Sequence, residues 1–161
     1  MAFAGWSQKP SDFRDKYEGE VAVRLEEHTH VELEVDDGEI KINRSSFIKT
    51  YMASAQLNGV NKVSLDYEPL FSKISDIEAH TLIPNFEKDK FGKEKVRDII
   101  DRKVLDDDIF HDGTRAKSFE FQGVKKGGIT QLEYTEEISE PRLIGREVFS
   151  SSLLTLNKSL S

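Results

Sequence analysis

Two histidines two positions apart are the residues most easily interpreted as a chemical site. His28 and His30 share one face if they lie on a β-strand, because successive side chains of a strand alternate between its faces. Some zinc ligand pairs are arranged in this way. Charged side chains would occupy the same face, namely Arg24, Glu26, Glu32 and Glu34. Such a face is typical of a solvated sheet surface, so we predict no metal site. A weak metalloenzyme that uses His28, His30 and His80 remains a testable alternative.

A second group of possible ligands is the acidic run Asp106-Asp107-Asp108, followed by His111 and Asp112. Clustered carboxylates suit calcium, which binds oxygen ligands. The spacing does not match the calcium loop of helix-loop-helix proteins, and no bidentate glutamate falls at the expected position. We predict an acidic loop without metal.

Catalytic motifs are missing from the sequence. There is no cysteine, which excludes a cysteine nucleophile, a disulfide and a thiolate metal site within these residues. There is no Gly-x-Ser-x-Gly elbow, phosphate-cradling glycine loop or His-Glu-x-x-His helix. The 30 acidic residues allow many carboxylate pairs, so a pair identifies no hydrolase without geometry. We predict no catalytic residue, no bound cofactor and no enzyme activity for this chain.

Size and charge limit the class of protein. The chain has 161 residues and a formal net charge of -7, which fits one soluble domain and argues against a nucleic-acid partner. No apolar run approaches the roughly 20 residues of a membrane-spanning helix, so we expect no membrane insertion. The start, Met1-Ala2-Phe3-Ala4, fits either the end of a signal peptide or an ordinary N-terminus with small residues.

The elements that must position any site are β-strands. Residues 21–35 alternate, with mostly apolar or β-branched residues predicted on one face, namely Val21, Val23, Leu25, Thr29, Val31, Leu33 and Val35. Asp36-Asp37-Gly38 predicts a hairpin turn, because Asp and Gly tolerate positive φ angles. The return strand is expected at residues 39–51, with Ile40 and Ile42 on one face.

Further strands are expected along most of the chain. They cover residues 62–67, residues 73–83 (ending at Pro84), residues 96–104 (strand favoured over a short helix), and a pair at 116–123 and 129–138 joined through Gly123 to Gly128. The charged residues 85–95 predict a solvated hairpin tip. Many short strands separated by turns indicate an all-β fold, an antiparallel β-sandwich that has at most one short helix.

Three short blocks, in this order, carry a family resemblance. Residues 77–84 read Ile-Glu-Ala-His-Thr-Leu-Ile-Pro, residues 104–110 read Val-Leu-Asp-Asp-Asp-Ile-Phe, and residues 119–134 begin Phe-Glu-Phe-Gln-Gly-Val-Lys-Lys-Gly-Gly. They resemble a bacterial domain of unknown function, DUF3857, that typically lies N-terminal to a transglutaminase-like domain. Gln122 and Lys126 depart from it, since the family often has proline there.

The resemblance implies a β-sandwich similar to the N-terminal domain of zinc aminopeptidases, in a secreted, periplasmic or cell-envelope protein. Residues 1–16 would be an N-terminal extension, residues 17–149 the sandwich, and residues 150–161 a truncated segment that leads to a downstream domain. That transglutaminase-like domain of a protease would be the partner. Apolar surface near residues 143–156 would contact it, and the chain itself would be a non-catalytic accessory or substrate-positioning module.

The second hypothesis is an independent sandwich that binds carbohydrate or peptide. Aromatic side chains could provide stacking platforms for such a ligand, namely Trp6, Tyr51, Tyr67 and Tyr134. A free edge strand could capture an extended peptide. Core packing is the favoured role of these aromatics, because they lie among strand residues.

Overall fold

Alternating apolar and polar residues place most of the described chain in β-strands. The computed structural model describes residues 8–56, 59–104 and 113–140, and the backbone of 154–155 and 158–160. The strands are β1 (Ala22–Asp36), β2 (Glu39–Met52), β3 (Lys62–Tyr67), β4 (Ser72–Asn85), β5 (Lys90–Lys95), β6 (Ile100–Lys103), β7 (Arg115–Glu120), β8 (Ile129–Ile138), β9 (Leu154–Thr155) and β10 (Lys158–Leu160). The predicted all-β fold with antiparallel sheets is confirmed. In the described residues, no helix is long and apolar enough to cross a membrane.

The larger sheet has the order β10-β1-β2-β8-β4-β5, and β9 also pairs with β1. Adjacent strands in the stretch β1-β2-β8-β4-β5 are antiparallel. Strands β9 and β10 run parallel to β1. The sequence predicts no element in residues 142–161. The two short strands found there are therefore a correction, and they were missed because two or three residues are too few to show an alternating pattern.

The smaller sheet has the order β3-β7-β6 and packs on one face of the larger sheet, which we call the inner face. Buried apolar side chains of both sheets meet in one cluster, namely Ala79, Val96, Phe119, Phe121 and Leu132. Removing this apolar area from water is the main stabilising contribution to the sandwich.

The opposite face of the larger sheet, which carries His28 and His30, is the histidine face. A short 3₁₀ helix, Pro10–Phe13, covers the end of this face where β1 begins. The Phe13 ring stacks on Tyr51 with centroids 4.9 Å apart, and both belong to a second buried cluster with Val23 and Ile129. Ser11 also donates hydrogen bonds from its backbone nitrogen and its hydroxyl to Asp89, at 2.9 and 2.7 Å.

Strand β1 does not keep one continuous apolar face, contrary to the prediction. The pairing with β2 shifts between Arg24 and Glu26, where a β-bulge interrupts the register. One extra residue reverses the alternation. Val23 therefore lies on the histidine face, whereas Leu33 and Val35 lie on the inner face.

Two predictions around the β4–β5 turn are corrected. Strand β4 continues through Pro84 to Asn85, and beyond Leu82 it pairs only with β5, so the missing N–H of proline is tolerated there. The charged tip is confined to residues 86–89, because residues 90–95 form β5 at the sheet edge. Lysines are common on such edges, where they oppose pairing with another chain.

Two more predictions change in the second half of the chain. Only Ile100–Lys103 of the expected strand at residues 96–104 is a strand, and no helix forms there. The predicted pairing of residues 116–123 with 129–138 is wrong, because β7 pairs with β3 and β6, and β8 pairs with β2 and β4. Residues Gly123 to Gly128 thus cross between sheets and do not form a hairpin.

Candidate functional site

The histidine pair lies where the sequence places it, with both rings on the histidine face. His28 Nε2 is 3.4 Å from Glu26, and His30 Nε2 is 3.2 Å from Glu32. The His28 ring also stacks on Phe47 of the neighbouring strand, with centroids 6.2 Å apart. Each histidine thus contacts a carboxylate two positions away on its own strand, and each ring keeps a separate partner.

His80 does not join this pair. It lies on β4, and strands β2 and β8 separate β4 from β1, a distance of about 14 Å at the usual strand spacing. Burial and the Lys93 ammonium lower the pKa of His80. Within the described residues no group of three or more His, Asp or Glu side chains could hold a metal ion. Residues 106–112 of the acidic loop lie outside the described part.

The predicted aromatic platforms have different roles. Tyr51 is packed against Phe13 and Tyr17 in the core, which confirms the packing role favoured for it. Tyr67 donates a hydrogen bond to Asp101 at 2.7 Å. Tyr134 packs against the buried cluster that contains Phe119 and Leu132, and it also lines a polar recess. Trp6 lies outside the described residues, as do the side chains of the apolar stretch at residues 143–156.

An apolar tip projects at the far end of the β1–β2 hairpin. It consists of Leu33, Val35 and Ile40, which are 68%, 74% and 44% exposed. Val35 is paired directly with Ile40, so the two side chains stand side by side on the inner face. The turn places Asp37 at φ 49° and Gly38 at φ 83°, as expected for the tight hairpin.

Carboxylates lie beside the apolar tip in the chain, and those on the two strands point to the opposite, histidine face. Exposed acidic residues adjoin it on both strands and in the turn, namely Glu32, Glu34, Asp36, Asp37 and Glu39. Lys41 is a nearby cation, with its Nζ 3.7 Å from Asp36. The end of the hairpin therefore has an apolar inner face and an acidic histidine face.

A polar recess lies on the inner face, closer to the core. Ser46 stands at its centre, paired with Thr29 of β1 and Tyr134 of β8. Longer side chains occupy the positions before and after it on the same face. The recess has a volume of about 230 Å³ and is lined by Glu27, Thr29, Arg44, Ser46, Ile48 and Tyr134. A small residue among larger neighbours leaves this space, since paired side chains stand only about 5 Å apart.

Two ion pairs border the recess. Arg44 donates from Nε to Glu136 across β2 and β8 at 3.0 Å. Arg24 donates from Nη1 to Glu27 at 2.8 Å. All four side chains are at most about a quarter exposed, which holds the walls of the recess in place. The sequence does not reveal the recess, because its residues come from three strands whose pairing is unknown until the fold is formed.

The fold defines the class of protein, which is an antiparallel all-β domain of two packed sheets. A family model described as a domain of unknown function with a solved structure (DUF3857) matches residues 53–159. The chain belongs to this family, as its short sequence blocks predict. Strands β1 and β2 precede the matched range.

Solved structures also resemble the chain. One is the crystal structure described as a "putative protease" from Parabacteroides distasonis, with a TM-score of 0.59 and 16% sequence identity. The match covers 73% of this chain and 23% of that chain. The likeness shows a shared fold, and the present chain spans about a quarter of the length of that protein. No curated protein matches the chain.

Proposed function

We propose that the chain is a non-catalytic accessory domain of a larger secreted or cell-envelope protein, and that it packs against a transglutaminase-like domain and orients it or its substrate. The observation that carries the proposal is the apolar tip. Leu33 and Val35 are more than half exposed although their strand continues into the core. Grouped apolar side chains at a surface mark contact sites, since covering them removes apolar area from water.

The comparison with the solved structure supports a modular arrangement. In that protein the matched fold is less than a quarter of the chain, so the fold there is one part of a larger polypeptide. The present sequence has no cysteine, so a transglutaminase-like nucleophile would belong to another domain.

Calorimetry tests the proposal directly. The 161-residue chain is titrated with the transglutaminase-like domain encoded in the same gene or beside it. Saturable binding is expected, and Leu33→Asp and Val35→Asp are each expected to weaken it about tenfold or more, because each places a carboxylate in an apolar contact.

The matched control is Leu70→Asp. Leu70 is 82% exposed but lies in the β3–β4 connection and outside the apolar tip, so this variant should bind like the parent chain. The docking proposal fails if the folded chain does not bind, or if the Leu70 variant loses as much affinity as the two tip variants.

A further inference from the structure

The polar recess has features of a ligand site, and it is independent of the proposed docking at the apolar tip. Its three hydroxyl groups, on Thr29, Ser46 and Tyr134, make no hydrogen bond with any residue in the described ranges. Ser46 is only 7% exposed. Thr29 and Tyr134 are partly exposed, so these hydroxyls can bond water, and a guest in the recess can replace that water as their hydrogen-bond partner.

The charges of the recess favour a neutral guest. Of the two charged side chains that line it, Arg44 is paired with Glu136 and Glu27 with Arg24. An anionic guest needs uncompensated positive charge and would have to compete with Glu136. A cation would have to compete with Arg24 in the same way. The recess therefore offers hydrogen-bonding groups without a net charge to attract an ion.

Hydroxyls that both donate and accept match a guest with hydroxyls of its own. Ile48 and the Tyr134 ring add apolar surface beside them, which suits the C–H face of a sugar ring. The volume of about 230 Å³ lies below the roughly 300–1,000 Å³ of sites for drug-sized ligands. One monosaccharide ring fits this combination of size, neutrality and hydrogen bonding.

We propose that the recess between β1, β2 and β8 binds one neutral monosaccharide unit of a glycan, with the hydroxyls of Thr29, Ser46 and Tyr134 as its hydrogen-bonding groups. This assigns a binding site to a domain whose proposed docking role does not require one. The site lies on the same face as the apolar tip, so a docked domain and a bound glycan chain would be neighbours.

Saturation-transfer NMR on the 161-residue chain tests the proposal, with cellotetraose, maltotetraose and chitotetraose as probes. Transfer to at least one saccharide is expected. Ser46→Phe fills the recess and should weaken that binding at least about tenfold. Ser45→Phe is the matched control, because Ser45 is exposed on the histidine face one position away, and it should leave the signal unchanged.

A second variant guards against misfolding of the first. If Ser46→Phe does not fold, Thr29→Phe narrows the recess from its side and should reduce transfer in a chain with an unchanged far-ultraviolet circular dichroism spectrum. Absence of transfer to all three saccharides overturns the proposal. So does binding that survives in folded Ser46→Phe. Binding of tetra-alanine or inorganic phosphate that the same variant abolishes would assign the recess to a different ligand class and would also overturn it.

Discussion

The two ends of the β1–β2 hairpin carry similar sequences and have opposite environments. At the base, Val23 is fully buried between the sheet and the 3₁₀ helix. At the tip, Leu33 and Val35 continue an alternating pattern but are largely exposed. The difference teaches that alternation determines which side chains share a face, whereas burial depends on what other part of the chain covers that face.

The largest effect on the free energy of unfolding is expected from replacing valine by aspartate at one end of the β1–β2 hairpin and comparing it with the same replacement at the other end. Val23→Asp places an unpaired charge in the core and should lower the free energy of unfolding by about 3–5 kcal/mol. Val35→Asp should change it by no more than about 0.5 kcal/mol. Urea unfolding followed by circular dichroism measures both. Equal losses at the two positions would show that the tip is covered in solution and would remove the contrast.

Ion pairs should show the same contrast at a smaller scale. Glu136→Gln weakens the largely buried pair with Arg44 between β2 and β8 and should cost about 1–2 kcal/mol. Asp36→Asn weakens the exposed contact with Lys41 at the tip and should cost at most a few tenths of a kcal/mol. Both variants are measured by urea unfolding at low and moderate salt. Only the Asp36 contribution should disappear with salt.

The turn tests whether the tip is independent of the base. Gly38 has φ 83°, and a Cβ added there would meet no atom within 4 Å, so Gly38→Ala adds backbone strain alone, about 1 kcal/mol. Hydrogen exchange should become faster in residues near the turn and stay unchanged at Val23. Faster exchange along all of β1 would mean that the hairpin opens as one unit.

The smallest expected effect is the pH dependence of the free energy of unfolding that His80 contributes. His80 lies at the boundary of the covered part of the histidine face. Burial and Lys93 lower the pKa of His80 below its ordinary value of 6.5, so the unfolded chain binds a proton more readily than the folded chain. His80 therefore leaves the free energy of unfolding constant above about pH 6.5 and decreases it as the pH falls from there through the lowered folded-state pKa. His80→Gln should flatten this part of the stability curve, as measured by urea unfolding from pH 7.5 to 4.5. A slope identical to that of the parent chain would contradict the prediction.

Local patterns predicted several elements because turns and strands depend on neighbouring residues. The bounds of β3 and β8 and the turn at Asp37-Gly38 agree with the sequence interpretation. The bulge after Arg24 was missed, because one extra residue in a strand leaves no distinctive local signal. The position of β7 was also missed, since two strands close in sequence usually pair and the glycine-rich connection fits a hairpin.

The features of the candidate surfaces also divide into those that the sequence predicts and those that only the fold reveals. The shared face of His28 and His30 follows from their spacing alone, and so does the exclusion of cysteine chemistry. The separation of His80 from that pair, the exposure of the apolar tip and the recess around Ser46 all depend on which strands lie side by side. The sequence by itself determined the all-β class, the family and most strand positions, because these follow from local periodicity and short motifs. Only the tertiary structure decided strand order, burial and the candidate sites, because these arise from contacts between residues far apart in the chain.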